Sequence, residues 1–390
     1  MRNFIILVIT MSFKISGLIA QSNPYPEGDI ILKINDSFGI SSDWINLSTT
    51  NEFRHDACYN EPASFAIGAN GDIYLVNNIK DELQLFDNEG KFIKTLAKIT
   101  KITKFHAVRM VGILDNKYII TENYNRLHIF NLNGTLFKIL YLDYPTYQVV
   151  SLKENKLAIY AHILLGGSKN KYSIILKDII TEQEKVIEST IEESEKYTYS
   201  LVMDKGVMSC FFPYSRSAYY LNKINNDRLL VGYNYKQALN IYNYKGELVS
   251  TFNMNIAPLK VEDTVKKEFQ EKIKNKIYQM GYKEQFDKNP INDKLFPEYL
   301  PFFHSIQVDD KNNILIFLYT EGKPEYKVSI YSISSGNGKY MGTSTFNSDK
   351  YALNVNSSSM QMHFGNKEIQ AIIRDGGDKK SSFKLVKFTY

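Results

Sequence analysis

Cysteine, tryptophan and histidine are all scarce in this 390-residue chain, with two, one and six residues respectively. Two cysteines, Cys58 and Cys210, cannot build the disulfide framework of a small secreted scaffold. They stand roughly 150 residues apart, and spacing alone does not bring two sulfurs within bonding distance. The burial habit of free cysteine favours two separate thiols. Neither sign of charge dominates: 47 Lys+Arg against 42 Asp+Glu give a net +5. That is too dilute for the clustered basic face of a nucleic-acid binder, so no nucleic-acid partner is expected. No apolar run approaches the roughly 20 residues that span a bilayer. G-x-S-x-G, H-E-x-x-H, C-x-x-C pairs and the P-loop are all missing, so the nucleophile, zinc and phosphate chemistries they anchor have no sequence support. What is abundant is Tyr and Phe, at 28 and 23 residues. Both favour half-buried pleated surfaces, which points to an all-β chain.

The amino terminus reads as an address. Met1-Arg2-Asn3 precedes an apolar run from Phe4 to Phe13, Lys14 ends it, and small residues lead to Ala20 before Gln21. A charged start, a short apolar stretch and a small residue at the exit make a secretory signal peptide. Residues 1–20 are therefore expected to be a leader, and 21–390 an exported chain that is periplasmic, cell-surface or secreted.

The body repeats itself. Ser64 to Asn78 followed by Leu83 to Phe92 reads strand, Asn70-Gly71 turn, strand, strand, Gly90 turn. Asn-Gly has the positive-φ chemistry of a two-residue hairpin. The same grammar returns at Asp115–Thr135, Glu154–Leu176, Asn226–Leu248 and Ser305–Gly338, and in weaker form at Met360–Phe388. Gly90 and Gly134 are 44 residues apart, the length of one four-stranded propeller blade. A single blade cannot bury both faces, so blades stack radially and the ring must close. The expected fold is a six-bladed β-propeller of four-stranded antiparallel blades. Asp29–Ile34, upstream of the first blade, is expected to pair with the last one.

Ile73-Tyr74-Leu75-Val76 with Leu83-Gln84-Leu85-Phe86-Asp87-Asn88-Glu89-Gly90 resembles the NHL-type blade pattern. Phe296–Pro301 leading into Ile306–Asp309 resembles the segment before the penultimate blade of exported bacterial six-bladed propellers with a TolB-like ring. The resemblance covers the mature chain and implies a fold rather than a function, because sites are grafted onto such rings. The Gly-rich linker often found between the first two blades is replaced here by Ala97–Lys104.

Two insertions break the rhythm, at 191–217 between blades three and four and at 253–301 between blades four and five. In the second, Val261, Val265, Phe269, Ile273, Ile277 and Met280 fall three or four apart among lysines and glutamates, and Gly281 follows. That spacing predicts an amphipathic helix. Connections between blades emerge on the same side as the turns between second and third strands, so both insertions should overhang that face.

Candidate site residues follow from that geometry. His106 and His304 precede the innermost strands of opposed blades, and the turns add Asn78, Glu122, Asn123, His162, Asn234 and Glu321. Imidazoles with a carboxylate could hold a divalent metal, through His106 and His304, or act as acid and base; no cofactor is required by the pattern. Asp309-Asp310 and Asp375–Asp378 lack the ligand order of a calcium loop and read as turns. The aromatic residues of the insertions, among them Tyr214, Tyr299 and Phe302, supply contact area with a polar tip. The expected function is binding of a protein or peptide through one face of the ring, with carbohydrate as another partner class. A metal-assisted hydrolase or lyase at the channel mouth is the alternative.

Overall fold

An aromatic residue, an Asp or Asn, two further residues and a glycine recur as Phe86–Gly90, Phe130–Gly134 and Tyr242–Gly246, and this unit shapes the ring. In the computed structural model each Asx residue closes its own turn. Asp87 Oδ1 accepts from the N–H groups of Glu89 and Lys91, and Asn243 Oδ1 does the same for Lys245 and Glu247. Gly90, Gly134 and Gly246 complete the turns at φ of 80°, 89° and 73°, which side-chain-bearing residues rarely adopt. A register shift accompanies each turn, between Leu85 and Phe86, Ile129 and Phe130, and Ile241 and Tyr242. The Asn70-Gly71 turn differs from its expected form. Gly68 N–H bonds to the Asp72 carbonyl and only Gly71 has positive φ, so the loop is longer than two residues and ends on a glycine bulge.

The structure describes residues 24–25, 28–35, 38, 47–48, 63–78, 80–98, 110–165, 169–193, 197–204, 206–212, 218–225, 227–319, 326–333, 338–347, 362–365, 367–375 and 382–390. The leader, Cys58, His106, Tyr214 and Glu321 lie outside them. Blade one comprises Ala63–Ile67, Ile73–Asn77, Glu82–Phe86 and Phe92–Lys98. Blade two comprises Met110–Leu114, Tyr118–Asn123, Arg126–Asn131 and Leu136–Tyr141, and blade three Thr146–Ser151, Lys156–Leu164, Lys169–Asp178 and Glu184–Glu193. Blade four is Tyr219–Ile224, Arg228–Tyr233, Ala238–Asn243 and Leu248–Asn253, and blade five Ser305–Val308, Asn313–Phe317, Tyr326–Ser332 and Lys339–Asn347. Blade six has Met362–Phe364, Glu368–Asp375 and Ser382–Thr389. Each blade pairs its strands in chain order, and the first strands of successive blades, from one through six, are neighbours around the axis.

Both faces of each sheet must be covered, and the burial pattern shows that they are. Ile73–Asn77 and Asn313–Phe317 are buried at every residue. Six apolar cores fill the six seams. The last of them joins Ile372 and Leu385 of blade six to Phe65, Ile73, Leu75 and Phe86 of blade one, which closes the ring. Among the described residues no ladder links the innermost strands, and side chains bond across instead. Ser64 Oγ accepts from Val111 N–H at 2.8 Å, Gln148 holds both the N–H and the carbonyl of Leu221, and Asn222 Nδ2 donates to the Ile306 carbonyl at 2.7 Å.

The amino-terminal segment closes the ring differently from expectation. Of the Asp29–Ile34 stretch, Lys33–Ile34 pairs with the last blade, antiparallel to Thr389 and Phe388, and Leu47–Ser48 pairs further along the same strand with Phe383 and Ser382. Gly28–Ile31 runs parallel to Ser344–Asn347 on blade five. The cause is burial: Tyr25, Ile30 and Leu32 all enter the core between blades five and six, so the segment must cross that seam. Tyr25 donates to Asp309 Oδ2 at 3.0 Å and stacks on Tyr390. Asp309 also accepts from Lys311 and Asn313, so this aspartate is turn chemistry.

Candidate functional site

The face that carries the turns between second and third strands also carries the connections between blades. Leu142 N–H bonds to Asn125, Thr146 to Tyr124 and His162 to Pro145, while Met254 bonds to Gln237. These bonds lay each connection against the turns of its own blades.

Both insertions rise from this face, and they form one body. The first is a hairpin, Thr198–Met203 with Gly206–Phe211. The second holds helix α1, Asp263–Gln279, and helix α2, Lys283–Lys288. Helix α1 buries Phe269, Ile273 and Ile277 as its spacing predicts; Val261 is buried just before the helix, and Met280 caps it and is exposed. Gly281 at φ 85° ends α1: its N–H bonds to Tyr278 and the Tyr282 N–H to Ile277, the paired bonds of a Schellman stop. Tyr199 and Leu201 from the hairpin join Phe212, Phe269, Ile273, Ile277, Phe286 and Phe296 in a seventh core that shares no residue with the six ring cores. Tyr199 donates to the Asn289 carbonyl at 2.6 Å and meets Phe286 edge-on. Among the described residues, backbone bonds draw each insertion together at a neck: Phe212 N–H to Tyr197 O in one, and Val261 N–H to Glu298 O with Leu300 N–H to Leu259 O in the other.

Cys210 is a free thiol, half buried against this core, and burial pushes its pKa up. Three ion pairs decorate the helices, Lys266–Asp263, Lys274–Glu271 and Lys288–Glu284. All three carboxylates are exposed, so the pairs add little to stability.

The site residues expected from sequence separate into structural and surface groups. Glu122 is 1% exposed in the seam between blades two and three, where Thr146 Oγ1 donates to it. Asn123 ends the same strand. Asn234 is fully buried: its Oδ1 accepts from Ala218 N–H at 2.9 Å and its carbonyl accepts from Phe302 N–H at 2.8 Å. It thereby ties the entry of blade four to the approach of blade five. Phe302 is half buried against the core between those blades. His304 packs its ring against Phe317 and Tyr319. Tyr299, in the second neck, is 42% exposed. Among the described residues no group of three or more His, Cys, Asp or Glu side chains gathers as a metal site would.

His162 lies in a tyrosine-rich seam between blades three and four. Its ring stacks between Tyr147 and Tyr172, at 5.7 and 5.1 Å, and Tyr160 links Tyr147 to Tyr219. Tyr233 bonds to Glu192 and Tyr242 to Glu188. Burial, with Glu188 beside it, pushes the Tyr242 phenol up to about 12. The Nε2 of His162 and the hydroxyl of Tyr219 are both buried, so this part of the tyrosine surplus is interior packing rather than an open platform.

The hairpin is the feature that sequence reasoning missed. Its signal is the alternation of Tyr199, Leu201 and Met203 before Asp204-Lys205-Gly206. One face is buried on α1 and α2; the other exposes Val202 and Val207, which are cross-strand partners.

No family model and no curated protein matches the chain. Solved structures do resemble it. A member of the DUF4221 family from Bacteroides vulgatus is 14% identical with a TM-score of 0.46, over 85% of this chain and 94% of that one. A putative exported protein from Bacteroides fragilis is 9% identical with a TM-score of 0.42, over 93% and 99% of the two chains. A protein of unknown function from Bacteroides thetaiotaomicron is 11% identical with a TM-score of 0.42, over 92% and 75%. Among the described residues no helix is long and apolar enough to cross a membrane.

Proposed function

We propose that this chain is an exported scaffold that binds a protein or peptide partner through the cap-bearing face of its ring. The observation that carries this reading is the shared core of the two insertions. The ring is closed by its own six cores and has no need of the seventh. Long insertions that build their own order on one face are where binding surfaces concentrate. Export rests on the leader-like residues 1–20. The metal-assisted hydrolase or lyase reading has less to stand on, because His304 packs among aromatic rings.

Site-specific photo-crosslinking in cells tests the reading. A photoreactive residue at Tyr299, on the cap face, is compared with one at exposed Lys117, in a turn on the opposite face. Discrete crosslinks from Tyr299 and none from Lys117 are expected. Equal capture from both positions, or capture from Lys117 alone, contradicts it.

A further inference from the structure

Blade two carries a polar patch that ring packing does not explain. Asn123 and Arg126 are cross-strand partners where its second and third strands turn, and Thr121 and His128 are the next pair on the same side of the sheet. Tyr141 of the outer strand is opposite Arg126, and the guanidinium lies over its ring at 5.3 Å. Ile119 and Phe130, on that same side, share a core with Val76 and Leu83 of blade one. All five side chains therefore face the seam between blades one and two.

Thr121 and His128 are 0% and 1% exposed. Thr121 Oγ1, His128 Nδ1 and Asn123 Nδ2 are buried, and among the described residues none of the three has a hydrogen-bond partner. Buried polar atoms left unpaired are costly, and native folds keep few of them, so three on one patch of sheet point to a guest. The patch is rich in donors. The Asn123 amide nitrogen and the Arg126 guanidinium only donate, the Thr121 hydroxyl has a proton to give, and a neutral imidazole donates from one nitrogen. Burial, with the Arg126 charge nearby, keeps the His128 ring neutral. What fits such a set is an anion with acceptor oxygens. The patch also has an entrance. Tyr141 is 67% exposed, and Asn123 and Arg126 are partly exposed beside the turn on the cap-bearing face. At the far end of the seam the blades touch, since a Cβ on Gly134 would lie 2.4 Å from the Leu96 carbonyl oxygen.

We propose that this rim of blade two binds a carboxylate of the partner, held between Asn123 and Arg126 on one side and Thr121 and His128 on the other. This rests on the cap-bearing face being the binding face. The two pairs are roughly 7 Å apart along their strands, a gap one carboxylate fills when its oxygens accept bonds of about 2.9 Å from both. The guanidinium fork matches a carboxylate and has N–H groups enough to serve it alongside other acceptors. Contact with the Tyr141 ring holds that fork in place. The positive charge turns cations away, and a neutral amide offers one acceptor oxygen where a carboxylate offers two. The terminus of the partner chain and an Asp or Glu side chain supply the same group.

Three blocked compounds separate those sources by calorimetry on the full-length protein. Acetyl-glycyl-glycine has a terminal carboxylate, acetyl-glutamic acid α-amide has a side-chain one, and acetyl-glycinamide has none. At least one of the first two is expected to bind in the millimolar range, about tenfold or more tighter than acetyl-glycinamide, and the tighter one identifies the source. Arg126→Gln is expected to weaken that binding about tenfold and Asn123→Ala about threefold, while Lys117→Gln on the opposite face changes nothing. Arg126 is partly exposed, so Arg126→Gln keeps the test valid if a change deeper in the seam unfolds the blade. The imidazole nitrogen resonances of the parent report the buried end, where the His128 signal is expected to move on binding. The proposal is overturned if acetyl-glycinamide binds as well as the carboxylates or if Arg126→Gln binds as the parent does. Tighter binding of inorganic phosphate overturns it by showing a different anion. A His128 signal that stays in place overturns it by leaving only ordered water beside that ring. If Tyr299 still crosslinks in cells under any of these results, the carboxylate site fails while the binding face stands.

Discussion

Ring and cap both cover apolar surface, but they find their cover at different distances along the chain. Each ring seam packs one blade against the next, so nearly every core contact is made between consecutive repeats. The cap packs Tyr199 and Leu201 against Phe269, Ile277 and Phe286 across an entire intervening blade. The ring is cooperative because its seams form a closed circle. Among the described residues the cap's core shares no residue with the cores of that circle, so its stability is set by its own core. Local opening in proteins follows such units, and a binding element drawn from the less stable unit can adjust without straining the ring.

The sharpest way to break this contrast is at the ring closure. Phe388 is fully buried, and its strand is clasped by Lys33–Ile34. Phe388→Ala is expected to cost about 3–5 kcal/mol, measured by denaturant unfolding, and to lower the unfolding of all blades together. Loss confined to blade six would show that the ring does not act as a unit.

Acid sharpens the contrast next. His128 is buried in blade two, and burial, with Arg126 nearby, holds its pKa down to about 4. The unfolded imidazole takes a proton near pH 6.5, whereas the folded one does so only near pH 4. The favourable neutral state is therefore fully present above pH 6.5, and stability is lost as pH falls toward 4, by up to roughly 3 kcal/mol. His128→Leu is expected to flatten the fall in ring stability across that window while leaving the response of the cap unchanged. An unaltered pH profile contradicts this account of His128.

The smallest effect belongs to the cap. Gly281 sits at φ 85° with open space where a Cβ would be, so Gly281→Ala adds only conformational strain, about 1–2 kcal/mol. Circular dichroism should show earlier loss of helix with the ring transition unmoved. A ring transition that shifts with it would mean that the cap is part of the ring's cooperative unit.

How much of this was legible in the sequence follows from the same distances. Glycine turns at Gly90, Gly134 and Gly246 and the 44-residue spacing describe contacts within and between neighbouring repeats, so strand order and blade number could be read. The α1 helix could be read because Phe269, Ile273 and Ile277 are periodic. The union of hairpin and helix could not, because it depends on residues about 70 apart that carry no shared pattern. The crossing of Gly28–Ile31 onto blade five was hidden for a similar reason, since an apolar segment announces burial but not which seam accepts it. Glu122 and Asn234 drew attention as turn residues near one face. Their side chains turn inward because Thr146 and the Ala218 backbone offer buried partners, a fact of tertiary packing.

Native-state hydrogen exchange on the full-length protein tests the central claim, that two separate insertions make one cap distinct from the ring. The amides of Thr198–Met203 and Gly206–Phe211 should open together with those of α1, at one free energy below that of Ile73–Asn77 and the other central strands. Exchange of the hairpin in step with blades three and four, or at a free energy unrelated to that of α1, would contradict it.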